Sequence, residues 1–240
     1  YALQYDTELK VPLWTSEYLY QYNFNSSFTF NDIKYKLHEG LPSTLQAIPK
    51  DYDNTGYSML QLADPNNQRV FFDTYTKEKL EPLNKDLVQE AFMTINTVPA
   101  HPTLKTGVWG ELEQYVRQIL VKEPTLMVTT GIIYENKKSL GNIGEIKIAI
   151  PTHFFKLITT PHKHGSVAFI IPNKEILHIN NKKVINPKTA ISCEGGPCNI
   201  NNFIVSVANL EKVSGIYFYA NANKYDAVQI KQNLNEYYRK

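Results

Sequence analysis

The chain opens with two apolar-rich runs, residues 1–5 and 11–19, parted by the charged stretch 6–10. That spacing predicts two strands joined as a hairpin. Residues 23–32 are polar and Asn-rich and read as loop. Residues 40–68 contain Gly40, Pro42, Pro49, Gly56 and an Asp-Pro-Asn-Asn turn from Asp64, so they read as mostly irregular. Leu83, Leu87, Val88 and Ala91 share one face of a helix expected over 83–95. The clearest helix covers 108–121, where Trp109, Leu112, Val116, Ile119 and Leu120 recur at helical steps and Pro124 ends the segment. Three central strands follow: 126–130 ending at Gly131, 152–159 entered from 147–150, and 166–171. A short helix over 204–214 with Ser206 as cap, a strand over 216–219 and an amphipathic helix over 227–238 complete the order. No repeat or low-complexity linker divides the chain. The expectation is one α+β domain over residues 1–240.

Composition removes several classes. A hydrophobic content of 42% with a net charge of +2 excludes a disordered chain. No apolar run approaches the roughly 20 residues of a membrane helix, so no membrane partner is expected. The small net charge gives no electrostatic case for a nucleic-acid partner. An unidentified protein partner or self-association remains.

Cys193 and Cys198 flank the Gly-Gly-Pro of a C-E-G-G-P-C loop. A single such pair makes a weak zinc site. A local disulfide is preferred over two free thiols, and it implies an oxidising compartment. Asn25 begins an Asn-Ser-Ser glycosylation triplet that agrees with a secreted or extracellular protein. With no signal peptide and Tyr1 already opening a strand, the chain reads as a trimmed or processed product.

Side chains with recognisable chemistry are sparse. There is no Gly-rich phosphate loop, no H-E-x-x-H and no G-x-S-x-G. His162 and His164 read as solvated loop residues, and His153, in an apolar strand, as a hydrogen-bonded structural histidine. The pairs Lys137–Lys138 and Lys182–Lys183 read as solvated turns. Glu113 lies beside the apolar face of the 108–121 helix and is either a boundary residue or a member of a site.

The order of segments carries more than any one residue. N-T-V-P from Asn96, L-K-T-G-V-W-G-E-L-E from Leu104 to Glu113, V-T-T-G from Val128, I-P-T-H-F-F-K from Ile150 to Lys156, and I-P-N ending at Asn173 occur in sequence. They resemble, in order and over nearly the whole chain, the segments of the DNA/RNA non-specific endonuclease family, which includes endonuclease G and the Serratia-type nucleases. The chain is also similar to the nuclease-like domain of the ectonucleotide pyrophosphatase/phosphodiesterases, which shares the fold without nuclease chemistry. The resemblance implies an α+β, ββα-metal (His-Me finger) fold with a central, mostly antiparallel sheet flanked by helices.

It also implies where catalysis belongs, and there the chain departs. The family's D-R-G-H is matched by the stretch ending at Tyr57, so Thr55 stands for the arginine and Tyr57 for the histidine base. Neutral imidazole accepts a proton near pH 7, whereas a phenol, with an ordinary pKa of about 10, is a donor. The family's magnesium-binding Asn is matched by Lys105, which cannot offer a lone pair to a cation. Asn96 and Glu113 are retained, and Ala100 replaces a glutamine. These losses predict a pseudo-nuclease with a binding, structural or assembly role, no cofactor, and Lys105 paired with Glu113 in place of the metal. The alternative is an active metal-dependent endonuclease or phosphodiesterase, using magnesium, with Glu113 and either His101 or His153 recruited to a rearranged site.

Overall fold

In the computed structural model β1 (Ala2–Asp6) and β2 (Val11–Tyr20) pair antiparallel, as the N-terminal spacing implies. The structure describes residues 1–21, 29–30, 32–69, 77–161, 165–177, 190–193, 197–220 and 232–233. Asn25, His162, His164, Lys182 and Lys183 lie outside them. Further elements are β3 (Ser58–Gln61), α1 (Lys77–Ala91), β4 (Thr97–Ala100), α2 (Val108–Lys122), β5 (Thr125–Ile133), β6 (Asn142–Ile143) and β7 (Ile148–Ala149). After these come β8 (His153–Thr160), β9 (Gly165–Pro172), β10 (Ile204–Val205), α3 (Val207–Ser214) and β11 (Gln232–Asn233). The main sheet has the order β1-β2-β5-β8-β9-β10, antiparallel throughout, with β11 parallel to β9. This is the α+β, mostly antiparallel architecture expected.

Strand alternation divides the core. Phe154 and Ile158 of β8 face α2 together with Val128 and Ile132 of β5, while Phe155 and Leu157 face α3 with Val207 and Leu210. α2 presents Trp109, Leu112, Val116, Ile119 and Leu120 as a buried stripe, and Trp109 meets Phe154 edge-on at 5.5 Å. Ser206 caps α3 by accepting from the Asn209 N–H, as its sequence position indicates.

Several sequence expectations fail for identifiable reasons. β5 does not end at Gly131; it runs through it, paired to Trp14 on one side and Phe155 on the other. A Cβ there would sit 2.4 Å from the Phe155 ring and 2.7 Å from the Leu13 carbonyl oxygen, so the glycine permits a close approach rather than a turn. Gly131→Ala is expected to lower stability by about 1–3 kcal/mol, read by denaturant unfolding. Helix α1 stops at Ala91, because Thr94–Asn96 turns as a 3-10 segment toward β4. Residues 216–219 form no strand. They are held by side chains instead: the Phe218 N–H donates to Glu211, and the Tyr219 hydroxyl sits 2.6 Å from Thr159 Oγ1 and 2.8 Å from Ser166 Oγ. The helix expected over 227–238 lies outside the described residues except Gln232–Asn233, which are strand. The 40–68 region, read as mostly irregular, is so apart from short 3-10 turns and β3, whose four residues pair with β4.

Candidate functional site

The β3–β4 pair and α2 frame the site, and buried amides lock that frame. Asn96 Oδ1 accepts the Ala63 N–H, while its Nδ2 donates to the Ala63 and Ala91 carbonyls. Both amide hydrogens and the oxygen are thus engaged, tying the start of β4 to the segment after β3 and to the end of α1, so Asn96 acts here as a clip. Asn173 does the same at the other end of β4, donating to the Pro99 and Pro151 carbonyls and accepting the His101 N–H.

Thr55 and Tyr57 lie just before β3, in a turn where Asn54 (φ 57°) and Gly56 (φ 79°) take left-handed conformations. The Thr55 hydroxyl donates to the Tyr52 carbonyl and accepts the Tyr57 N–H, and the Tyr57 ring packs against the core. One step past the last paired position, Ser58 with Ala100, the register sets His101 across from Tyr57. Burial holds the His101 imidazole below its ordinary range, with Glu175 opposing the shift. Its Nδ1 lies 2.9 Å from Thr103 Oγ1. His153 is lowered too, by burial and Lys174 against Glu135, but its Nδ1 is engaged by Thr152 Oγ1, whose own proton goes to the Ile133 carbonyl. That matches the structural histidine expected.

Polar residues sit on the inward face of the sheet, on the α2 side. Lys156 is fully buried between Phe154 and Ile158, donates to Thr130 Oγ1 at 2.7 Å, lies 5.0 Å from the Trp109 ring centroid and reaches Glu113 Oε1 at 3.0 Å. Glu113 therefore pairs with Lys156, not with Lys105. Lys105 is exposed on the turn before α2, and its carbonyl packs so close to Gly110 that a Cβ there would approach to 2.5 Å. The proposed substitution of a lysine charge at position 105 for the metal fails because β8 already delivers a cation from below. The Lys156–Glu113 contact is an ion pair without aligned hydrogen-bond geometry, and Glu113 Oε2 is buried with no hydrogen-bond donor. Burial raises the Glu113 carboxyl above its ordinary value, Lys156 pulling it down and Asp64 pushing it further up.

Two more carboxylates complete the cluster. Asp64 caps the turn Pro65–Gln68 through the Asn66 N–H and meets Arg117 at 3.1 Å. That turn presents Gln68 Nε2 to Glu17 at 2.7 Å and Asn67 Nδ2 at 3.3 Å. Burial pushes Glu17 up to about 8; Lys156 and the Asn67 bond oppose the shift, and Glu113 and Asp64 add to it. The folded chain thus keeps a proton on Glu17 that the unfolded chain releases near its ordinary 4.5. The stability this group contributes is present at low pH and lost as the pH rises toward 8. Glu17→Gln is expected to be more stable than the native chain at pH 8, by on the order of 2 kcal/mol, and less pH-dependent between pH 5 and 8. Urea unfolding at the two pH values measures both.

A cavity of about 380 Å³ joins these elements. Lys105, Asp64, Asn66, Glu113, Gln114 and Arg117 give it a polar side, and Phe30, Tyr35, Phe92 and Trp109 an aromatic one. Of the residues expected from sequence only Glu113 and Lys105 line it; Thr55, Tyr57, Asn96, His101 and His153 do not. Glu17, Asp64, Arg117 and Lys156 were not singled out from sequence. A signal existed for Lys156, in step with Phe154 and Ile158 on one strand face, and for Arg117, one helical turn beyond Glu113. Cys193 and Cys198 form the expected disulfide, with Cα atoms 5.1 Å apart.

A short antiparallel strand pair and a helix closing over a carboxylate-bearing cleft, backed by a large antiparallel sheet, define the nuclease-like α+β class. Residues 1–225 match the family model described as DNA/RNA non-specific endonuclease, and the chain belongs to that family. It is similar to the mitochondrial nuclease EXOG of Mus musculus, at 24% identity over 91% of this chain and 55% of that protein. Human mitochondrial endonuclease G is 22% identical over 92% of this chain and 68% of its own length. The chain thus spans little more than half the length of its EXOG relatives. A crystal structure of an EndoG/EndoGI complex superposes with a TM-score of 0.71 at 23% identity, covering 93% of this chain and 84% of that one, which bears out the fold. The names of these relatives place them in mitochondria and overturn the secreted reading drawn from the cysteine pair and Asn25. Among the described residues no helix is long and apolar enough to cross a membrane.

Proposed function

We propose that the chain is a metal-assisted phosphodiesterase acting on nucleic acid through a rearranged site, in the mitochondrial compartment of its relatives. The observation that carries this reading is the Glu113 carboxylate at the cavity wall: Lys156 reaches only Oε1 from the sheet side, and the buried Oε2 has no hydrogen-bond donor. An acceptor left in that state costs about 1–3 kcal/mol or more, and a site that binds a cation recovers the cost.

The residues fit a magnesium ion, which uses one or two carboxylates and otherwise water and phosphate oxygens. Glu113 would hold it, with Asp64 on the same wall. Among the described residues no group of three His, Cys, Asp or Glu side chains comes together, so a cage that strips an ion of its water is not on offer. A bound divalent ion would polarise a phosphoryl oxygen and offset the charge that develops there. Arg117 and Lys105 supply positive charge for the phosphodiester at the same cavity. His101, opposite the Tyr57 position, takes the part of the base. Its neutral form, the form that can accept a water proton, is favoured by burial.

A second reading, phosphodiester binding without hydrolysis, is favoured by one feature: Thr55 and Tyr57 bring neither guanidinium nor imidazole, and their groups are spent on a turn and on the core. Supercoiled plasmid and single-stranded RNA incubated with pure protein in magnesium, manganese or EDTA distinguish the two. Nicking that scales with protein and stops in EDTA supports the enzyme; retention of both substrates uncut under all conditions leaves only the binder.

A further inference from the structure

The aromatic side of the Glu113 cavity is built differently from the core beside it. Phe30 and Tyr35 both lie against Phe92, with centroids 5.9 and 5.3 Å apart and planes tilted by 58° and 50°. All three rings are partly exposed and line the cavity, whereas Trp109 at its base is buried. The Arg69 guanidinium stands 5.6 Å above the Phe30 ring. Gln61, Asn66 and Gln114 line the same space, the Asn66 amide donating to Asp64.

A ligand that suits this wall is flat, has a π-face for the rings, and carries donors and acceptors on its edge for the amides. Asp64 and Glu113 on the polar side disfavour a small free anion. An aliphatic ligand would offer no hydrogen bond to Gln61 or Gln114. Partly exposed rings beside cations are the means by which proteins hold single strands: the bases stack on the rings and the cations follow the phosphates.

We propose that Phe30, Tyr35 and Phe92 form a nucleobase subsite, stacking the base of a nucleotide next to the phosphodiester held at Lys105 and Arg117 in single-stranded nucleic acid. The subsite rests on the phosphodiester reading above and assigns it a strand form. Every base has a π-face, so the preference is for the presence of a base rather than for its identity.

The test is the affinity of the full chain for a labelled single strand and for the same strand with abasic residues, by fluorescence anisotropy in EDTA so that no strand is cut. The base-bearing strand is expected to bind about 5- to 150-fold more tightly. Phe30→Ala should close that gap and Phe30→Trp should keep it, with thermal melting used to confirm that each variant is folded. Equal affinity of the native chain for the two strands overturns the subsite while leaving the phosphodiester reading in place. Absence of binding to either strand, in EDTA and again with Ca²⁺ in its place, overturns both. The native-chain comparison decides the matter even where Phe30→Ala fails to fold.

Discussion

Lys156→Met is expected to lower the unfolding free energy by about 3–5 kcal/mol, the usual consequence of removing one partner of a buried ion pair. The Lys156 side chain has no exposed surface and faces Glu113, whose own side chain is 9% exposed. Methionine fills much of the same volume, so the loss measures charge left uncompensated rather than a cavity. Glu113→Gln in the same chain should restore most of the loss, because a neutral amide does not need the ammonium. The full double-mutant cycle, read by urea unfolding, isolates the coupling. A loss below about 1 kcal/mol in the single variant would show that β8 tolerates the carboxylate without its cation, against the buried-pair account.

The largest expected effect on activity belongs to His101. His101→Gln should reduce cleavage by about 10²–10⁴-fold, the range that a positioned general base supplies. Glutamine retains polarity and similar length, so the hydrogen bond from the His101 N–H to Asn173 is undisturbed. Because burial lowers the imidazole, the acid limb of the native rate profile should fall below the ordinary histidine value of about 6.5 and be missing from the variant. An unchanged rate in His101→Gln would move the base elsewhere in the site.

The frame of the molecule was legible because it repeats. Trp109, Leu112, Val116 and Leu120 mark α2 at helical spacing, and the apolar runs of β2, β5, β8 and β9 each extend over several residues. β3 and β4 were hidden because they are four residues long and embedded among turn residues, where no period can establish itself. Gly131 misled in the same way: composition cannot distinguish a glycine that ends a strand from one that admits a neighbouring ring. At the site, Glu113 was visible as a carboxylate beside an apolar face, but its partner was not. Lys156 is 43 residues further on, and only the sheet brings it under α2. The pairing of Lys105 with Glu113 rested on Lys105 standing where the family has its metal ligand, and it failed because Lys156 already meets Glu113 from the sheet and α2 begins only at Val108. Glu17, from the first hairpin, joins the cluster through Gln68, 51 residues on, a relation that no local pattern encodes.

The central claim is that the buried Glu113 carboxylate is kept for a cation, and titration of Mn²⁺ into the apo chain by calorimetry tests it without reference to activity. The native chain is expected to bind one ion, Glu113→Gln to bind none at the same concentrations, and Lys105→Asn to bind more tightly because a like charge has left the cavity mouth. No binding to the native chain, or equal binding to Glu113→Gln, would contradict it.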